Sequence, residues 1–150
     1  MAIYNGTPGN DTLNGSVGSV DDTLNGGLGN DLYRYVVGSG TDVITDTGGL
    51  DTLQIGDPNN LFTRWTFYRS GNDLVVDFDA QGRVTITDQF LAAPIVETLS
   101  FDDGWGPFSI VSTPIGTPGN DLLIGGAAAE TIDGGAGDDL IFANEGADRI

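Results

Sequence analysis

Four segments of the chain place glycines and an acid at the same offsets: GTPGNDTLN (6–14), GGLGNDLYR (26–34), GTPGNDLLI (116–124) and GGAGDDLIF (134–142). In the last stretch the acids fall at Asp121, Glu130, Asp139 and Asp148, nine residues apart. The apolar residues two positions on, Leu123, Ile132, Ile141 and Ile150, keep the same spacing. Short strands separated by six-residue turns at a fixed nine-residue period are the pattern of a parallel β-helix, with one nonapeptide per half coil. A three-residue strand cannot bury its own apolar face, so each coil depends on the coils stacked above and below it.

The first part of the chain repeats more loosely. Asp11 to Asp31, Asp22 to Asp42 and Asp31 to Asp51 are each twenty residues apart, so every coil there takes two residues more. Leu24, Ile44 and Leu53 occupy the apolar slots that follow Asp22, Asp42 and Asp51. We divide the chain into a first repeat block (1–56), a strand-rich middle segment (57–115) and a second block (116–150). In the middle, Trp65–Arg69, Leu74–Phe78, Arg83–Thr87, Val96–Phe101 and Phe108–Val111 read as strands, and 88–93 as a single helical turn. Phe62, Trp65, Phe67, Tyr68, Phe78, Phe90 and Phe101 concentrate there, which predicts a compact apolar core that caps the open end of the first coils.

Charge narrows the chemistry. The chain has 22 acidic residues against 5 basic ones and a net charge of −17, which opposes binding to nucleic acid or an anionic membrane and also opposes compaction. A counter-cation is the missing component. There is no histidine and no cysteine, so zinc, copper and iron sites are disfavoured and hard, oxygen-liganded cations remain. The first twenty residues lack a basic start and an apolar core, so no Sec signal is read, and no stretch approaches the roughly 20 apolar residues of a membrane helix. Glycine, at 24 of 150 residues, suits turns in which successive carbonyls must point into one concavity. One such turn cannot surround a calcium ion, which takes six to eight oxygens, but two turns stacked one coil apart can.

The four segments and their near copies resemble the RTX (repeats-in-toxin) nonapeptide G-G-x-G-x-D-x-U-x of haemolysin-type calcium-binding proteins. RSGNDLVVDF through VTITDQFLAAPIVETLSFDDG resembles the haemolysin-type calcium-binding-related region that accompanies such repeats. The resemblance implies an all-β fold, a parallel β-roll in two blocks flanking the capping region, with Ca2+ bound between coils. It further implies a secreted bacterial protein, export by the type I secretion machinery, and folding triggered by extracellular calcium. The export signal of such proteins is C-terminal, and this chain ends inside a repeat, so it is expected to be a fragment without that signal. Self-association through the open end of the roll is a further expectation.

Site residues follow from the same resemblance, in which one turn gives its second and fourth carbonyls and its sixth-position carboxylate. The turn one coil later gives its first and third carbonyls and its own carboxylate. This pairs Thr117, Gly119 and Asp121 with Gly134, Ala136 and Asp139, and Gly126, Ala128 and Glu130 with Ala143, Glu145 and Asp148. In the first block it pairs Thr7, Gly9 and Asp11 with Gly26, Leu28 and Asp31, and Gly27, Gly29 and Asp31 with Asp46, Gly48 and Asp51. Gly18 and Asp22 with Ser39 and Asp42 complete the set.

Other features take plainer explanations. Tyr33 and Tyr35 alternate beside a roll and are expected in the core rather than as a sugar-stacking pair. Trp65 and Trp105 are expected to pack, Asp102-Asp103 to form a solvated turn rather than a catalytic pair, and Asp57-Pro58 to be a turn rather than a self-processing bond. With no histidine to activate a serine or threonine, catalysis is not expected. The alternatives to a calcium-folded module are an adhesive or substrate-recognition module with structural calcium, or the targeting module of a secreted hydrolase or epimerase.

Overall fold

A computed structural model describes residues 1–57 and 64–150. Phe62, and Pro58 of the Asp57-Pro58 pair, lie outside the described residues. Among the described residues thirteen strands form two sheets. In the first block β1 (Ala2–Asn5), β3 (Asp22–Asn25) and β5 (Gly40–Thr45) belong to one sheet, and β2 (Thr12–Asn14), β4 (Leu32–Val36) and β6 (Thr52–Gly56) to the other. The chain therefore crosses between sheets at every turn, and all neighbouring strands within this block run parallel. This is a β-roll.

The register is the sequence period made visible. Ala2 pairs with Asp22, Thr23 with Val43 and Leu32 with Thr52, each one twenty-residue coil apart, whereas Leu122 pairs with Leu140, eighteen apart. The surplus of the first block sits on one edge only. Asp22 to Asp31 and Asp42 to Asp51 remain nine-residue half coils, while Asp11 to Asp22 and Asp31 to Asp42 take eleven. The roll thus has a short edge, with turns at 6–11, 26–31 and 46–51, and a long edge at 15–21 and 37–39.

Apolar residues face the space between the sheets in stacks. Leu13, Tyr33, Leu53 and Leu99 are in register along one sheet, and Leu24, Ile44 and Ile86 along the other, all buried. Tyr33 and Tyr35 lie in this core as expected, with Tyr35 stacked on Phe78 at 5.4 Å between ring centroids.

The middle segment is built onto both sheets. Its strands β7 (Thr66–Ser70), β8 (Asp73–Asp77) and β9 (Gly82–Ile86) form an antiparallel meander, and β9 pairs in parallel with β5. In the other sheet β10 (Thr98–Phe101) pairs in parallel with β6 and in antiparallel with β11 (Phe108–Val111). That hairpin reverses the chain, so β12 (Asp121–Ile124) and β13 (Leu140–Phe142) extend the same sheet in the opposite sense to the first block. Across from them the second block makes only the isolated parallel bridges Ile115–Asp133 and Thr131–Arg149. Residues 88–93 do not form a helix. Leu91 donates to the Asp88 carbonyl at 3.0 Å, but Asp88 sits at φ 56°, a left-handed value that a right-handed helical turn cannot include.

Trp65 packs edge-on against Phe67, Phe101, Trp105 and Phe142, joining the middle segment to the second block, while Trp105 stays 43% exposed at the rim of this cluster. Asp102 and Asp103 are exposed in the β10–β11 turn, where Asp103 accepts the Trp105 amide at 2.9 Å.

Because Leu53 is fully buried between coils, Leu53→Ala is expected to destabilise the folded protein by about 2–5 kcal/mol in denaturant unfolding. Leu91→Ala, at a residue 63% exposed, is expected to change it by no more than about 0.5 kcal/mol.

Candidate calcium sites between the coils

The sixth-position acids are held by one repeated hydrogen bond. Asp31 Oδ1 accepts the amide of Asp11 at 2.8 Å, and Asp51 Oδ1 that of Asp31 at 2.6 Å. On the long edge Asp22 Oδ1 accepts the amide of Ala2 and Asp42 Oδ1 that of Asp22, both at 2.9 Å. The second block does the same: Asp139 Oδ1 takes the Asp121 amide at 3.0 Å and Asp148 Oδ1 the Glu130 amide at 2.9 Å. Each acid therefore reaches back one coil, satisfies an amide there, and keeps its second oxygen for its own turn.

Fifth-position side chains run a reciprocal ladder that the repeat pattern did not single out. Asn10 Oδ1 accepts the Asn30 amide and Asn30 Oδ1 the Leu50 amide, each at 2.9 Å, and Asn120 Oδ1 accepts the Asp138 amide at 3.0 Å. The signal was in the sequence, as Asn-Asp at 10–11, 30–31 and 120–121. Glu97 was not foreseeable from the period. It lies 46 residues beyond Asp51 yet accepts the Asp51 amide at 2.7 Å, so the middle segment supplies the next rung of the ladder.

What the second oxygen meets differs from turn to turn. Asp11 and Asp121 have it closed by the threonine at the second position of their own turns: Thr7 N and Oγ1 donate to Asp11 Oδ2 at 2.6 and 2.9 Å. Thr117 N and Oγ1 donate to Asp121 Oδ2 at 2.5 and 3.0 Å. Ser16 N donates to Asp22 Oδ2 at 2.6 Å, Ser39 Oγ to Asp42 Oδ2 at 3.3 Å, and Gly126 N to Glu130 Oε2 at 2.8 Å. The longer glutamate side chain therefore still reaches its turn. Among the described residues Asp31 Oδ2 and Asp51 Oδ2 have no hydrogen-bond partner, although both residues are buried.

The main-chain carbonyls divide the turn pairs further. Among the described residues, those of Thr7, Gly9, Gly26 and Leu28 accept no hydrogen bond. Neither do those of Thr117, Gly119, Gly134 and Ala136, nor those of Gly126, Ala128, Ala143 and Glu145. By contrast Gly27 O accepts Thr47 N at 3.1 Å and Thr47 Oγ1 at 2.5 Å, and Gly48 O accepts Gly29 N at 3.1 Å. On the long edge Gly18 O and Ser39 O both accept Val20 N. The structure thus brings every expected turn pair together, but the Gly27, Gly48 and Ser39 carbonyls are already bonded across the coils and the Gly18 carbonyl within its own turn.

Glycine is required where these coils touch. Gly29 has φ +110°, and a Cβ there would lie 2.6 Å from the Gly9 carbonyl carbon. Gly137 has φ +128°, and a Cβ there would lie 2.5 Å from Gly119 O. Unpaired carbonyls, a carboxylate anchored by one oxygen, and buried oxygens without a donor are the oxygen-only donor set that calcium takes. The residues present fit that ion: the acids would supply charge and the turn carbonyls the remaining oxygens.

Without a cation the arrangement is electrostatically costly. Burial pushes the Asp51 carboxyl up to about 6, with the charges of Asp46, Glu97 and Asp31 adding to it. Burial likewise pushes Asp42 up to about 6, with Asp22 adding, and raises Asp31. Asp22 goes the other way, held down chiefly by the Ser16 amide. The raised acids bind protons more tightly folded than unfolded, so the calcium-free fold is penalised above about 6 and relieved as pH falls toward the ordinary value of 3.8. Calcium-depleted protein is therefore expected to gain β signal in far-UV circular dichroism as pH is lowered from 7 to 5. A flat or falling signal would contradict this account.

A family model described as the RTX calcium-binding nonapeptide repeat matches residues 3–33 and 115–150, in four copies. No curated protein matches the chain. Among solved structures the chain is similar to the extracellular lipase LipA from Serratia marcescens, at 18% identity and a TM-score of 0.48. That likeness covers 97% of this chain but 28% of the lipase, so the chain spans little more than a quarter of its length. Residues 3–33 and 115–150 thus match the RTX nonapeptide repeat, a calcium-binding repeat, and the chain they belong to folds as a β-roll.

Proposed function

We propose that this chain is the calcium-binding module of a secreted bacterial protein and that calcium drives its folding after export by a type I secretion system. The observation that carries the reading is the pair of buried, partnerless carboxylate oxygens on Asp31 and Asp51, inside a chain of net charge −17. Buried carboxylates require a compensating partner, and none of the five basic residues is bonded to either oxygen among the described residues. Calcium binds the stacked turns and not the extended chain, so folding is linked to its concentration. In low calcium the self-repelling chain stays open and can be threaded through an exporter, and in millimolar calcium it closes into coils. The role is one of binding and folding, with no catalytic step assigned to these residues.

The direct test is far-UV circular dichroism during a calcium titration from a chelated start at neutral pH, with magnesium in parallel. The expected result is a cooperative change from a disordered to a β-rich spectrum with calcium alone, because magnesium demands near-octahedral geometry and dehydrates reluctantly. A chelated protein already fully β-rich at pH 7 would reject the folding switch.

A further inference from the structure

We propose that Asp31, Asp46 and Asp51, with the Tyr33 hydroxyl on Asp46, form a three-carboxylate cation seat distinct from the other turn pairs, the tightest calcium site of the roll and the one that Tyr33 reports. The proposal rests on the calcium-binding reading above and assigns to one location a different donor chemistry.

In the ordinary repeat pattern Asp46, at the first position of its turn, would offer its main-chain carbonyl. In this fold its side chain is the relevant group. One carboxylate oxygen from each of Asp31, Asp46 and Asp51 lies within 4.8 Å of the other two. Asp31 and Asp51 each have Oδ1 bonded to an amide one coil back and present a buried Oδ2 with no donor. Asp46 is fixed in place by Gly48 N, which donates to its Oδ1 at 2.6 Å, and by the Tyr33 hydroxyl, which donates to its Oδ2. Tyr33 itself is fully buried, so this anchor is part of the core.

Two further features shape the location. The carbonyls of Gly27 and Gly48, which the repeat pattern would direct at an ion here, accept hydrogen bonds across the coils. That leaves the Gly29 and Asp46 carbonyls, which accept no hydrogen bond among the described residues, and gives the three carboxylates the larger share of the oxygens open to an ion. Gly26 also lacks the side chain that would fill the seat: a Cβ built there would collide with Tyr33 Oη, Asp31 Oδ2 and Asp46 Oδ2. Among the described residues no other turn pair brings three carboxylates within such reach of one another, and calcium affinity rises with ligand charge and site rigidity. A third carboxylate, anchored on both oxygens, increases both.

The test is calcium calorimetry on the whole chain, paired with terbium emission excited through tyrosine. Asp46→Asn keeps the main-chain carbonyl but removes the charge. It is expected to weaken the tightest class of sites by about tenfold or more while the remaining sites still bind and the β signal still develops. Asp103→Asn, which removes an equal charge from an exposed turn, is expected to leave that class unchanged. Equal titrations for wild type and Asp46→Asn would overturn the proposal. Should Asp46→Asn fail to fold, Tyr33→Phe decides: the ring stays in the core and terbium still binds. The first equivalent is then expected to lose most of its sensitised emission, and undiminished emission would place no ion beside that phenol. A wild-type chain that binds no calcium at all would instead defeat the broader reading.

Discussion

The hydrogen bond from a main-chain amide to the carboxylate one coil later is the interaction on which the roll depends. It pins successive coils in register at their edges, where β-pairing has ended and the turn amides would otherwise lack partners. It also brings acids into columns. Asp11, Asp31 and Asp51 stack on the short edge, Asp22 and Asp42 on the long one, and four of these five are buried. The device that fixes the stacking therefore creates the repulsion that resists it. Such columns gather negative charge between the coils, and a chain with five basic residues carries little of its own to offset it.

The middle segment solves a different problem, that of ending one roll and starting another. β9 and β10 continue the two sheets over the last coil of the first block, and Glu97 substitutes for the acid that a further repeat would have supplied to Asp51. The β10–β11 hairpin then reverses the strand sense, so the second block grows from the same sheet without a break. Arg69 binds the two parts together. Its guanidinium lies 3.8 Å from the centroid of the Phe90 ring and donates through Nε to the Ile124 carbonyl at 2.8 Å, at the end of β12. Here one of the few cations acts as a structural clamp on main-chain oxygens and an aromatic face.

Much of this was legible in the sequence because the period is local. The offsets of Asp11, Asp31 and Asp51 give the coil length, and the apolar residues two positions later give the inward stacks, since both follow from strand geometry and turn length alone. Strands in the middle segment were recognisable within two residues by their alternation and flanking glycines. The rest depended on contacts with no period. Nothing in the spacing links Asp51 to Glu97, and nothing shows that β11 would run against β10. The turn at 88–93 has a helix-compatible composition, yet a left-handed Asp88 decides against it. At the sites, the repeat pattern located the turns but treated them as equivalent. Whether a carbonyl is free or tied to the next coil, as at Gly27 and Gly48, is a matter of how closely two backbones approach.

That difference sorts the edges by what closes each carboxylate. On the long edge, where each half coil has two residues to spare, the chain supplies donors of its own: the Ser16 amide reaches Asp22 and the Ser39 hydroxyl reaches Asp42. In the turns that open each block, the threonine of GTPGND does the same for Asp11 and Asp121. The later turns of the short edge have no residues to spare and begin Gly26-Gly27 or Asp46-Thr47 rather than Gly-Thr, so Asp31 and Asp51 face inward without a donor. Loop length and one hydroxyl thus decide where the protein satisfies its buried carboxylates internally and where it leaves an oxygen open. Those open carboxylate oxygens are concentrated on the short edge between the second and third coils, next to the tyrosine buried in the core.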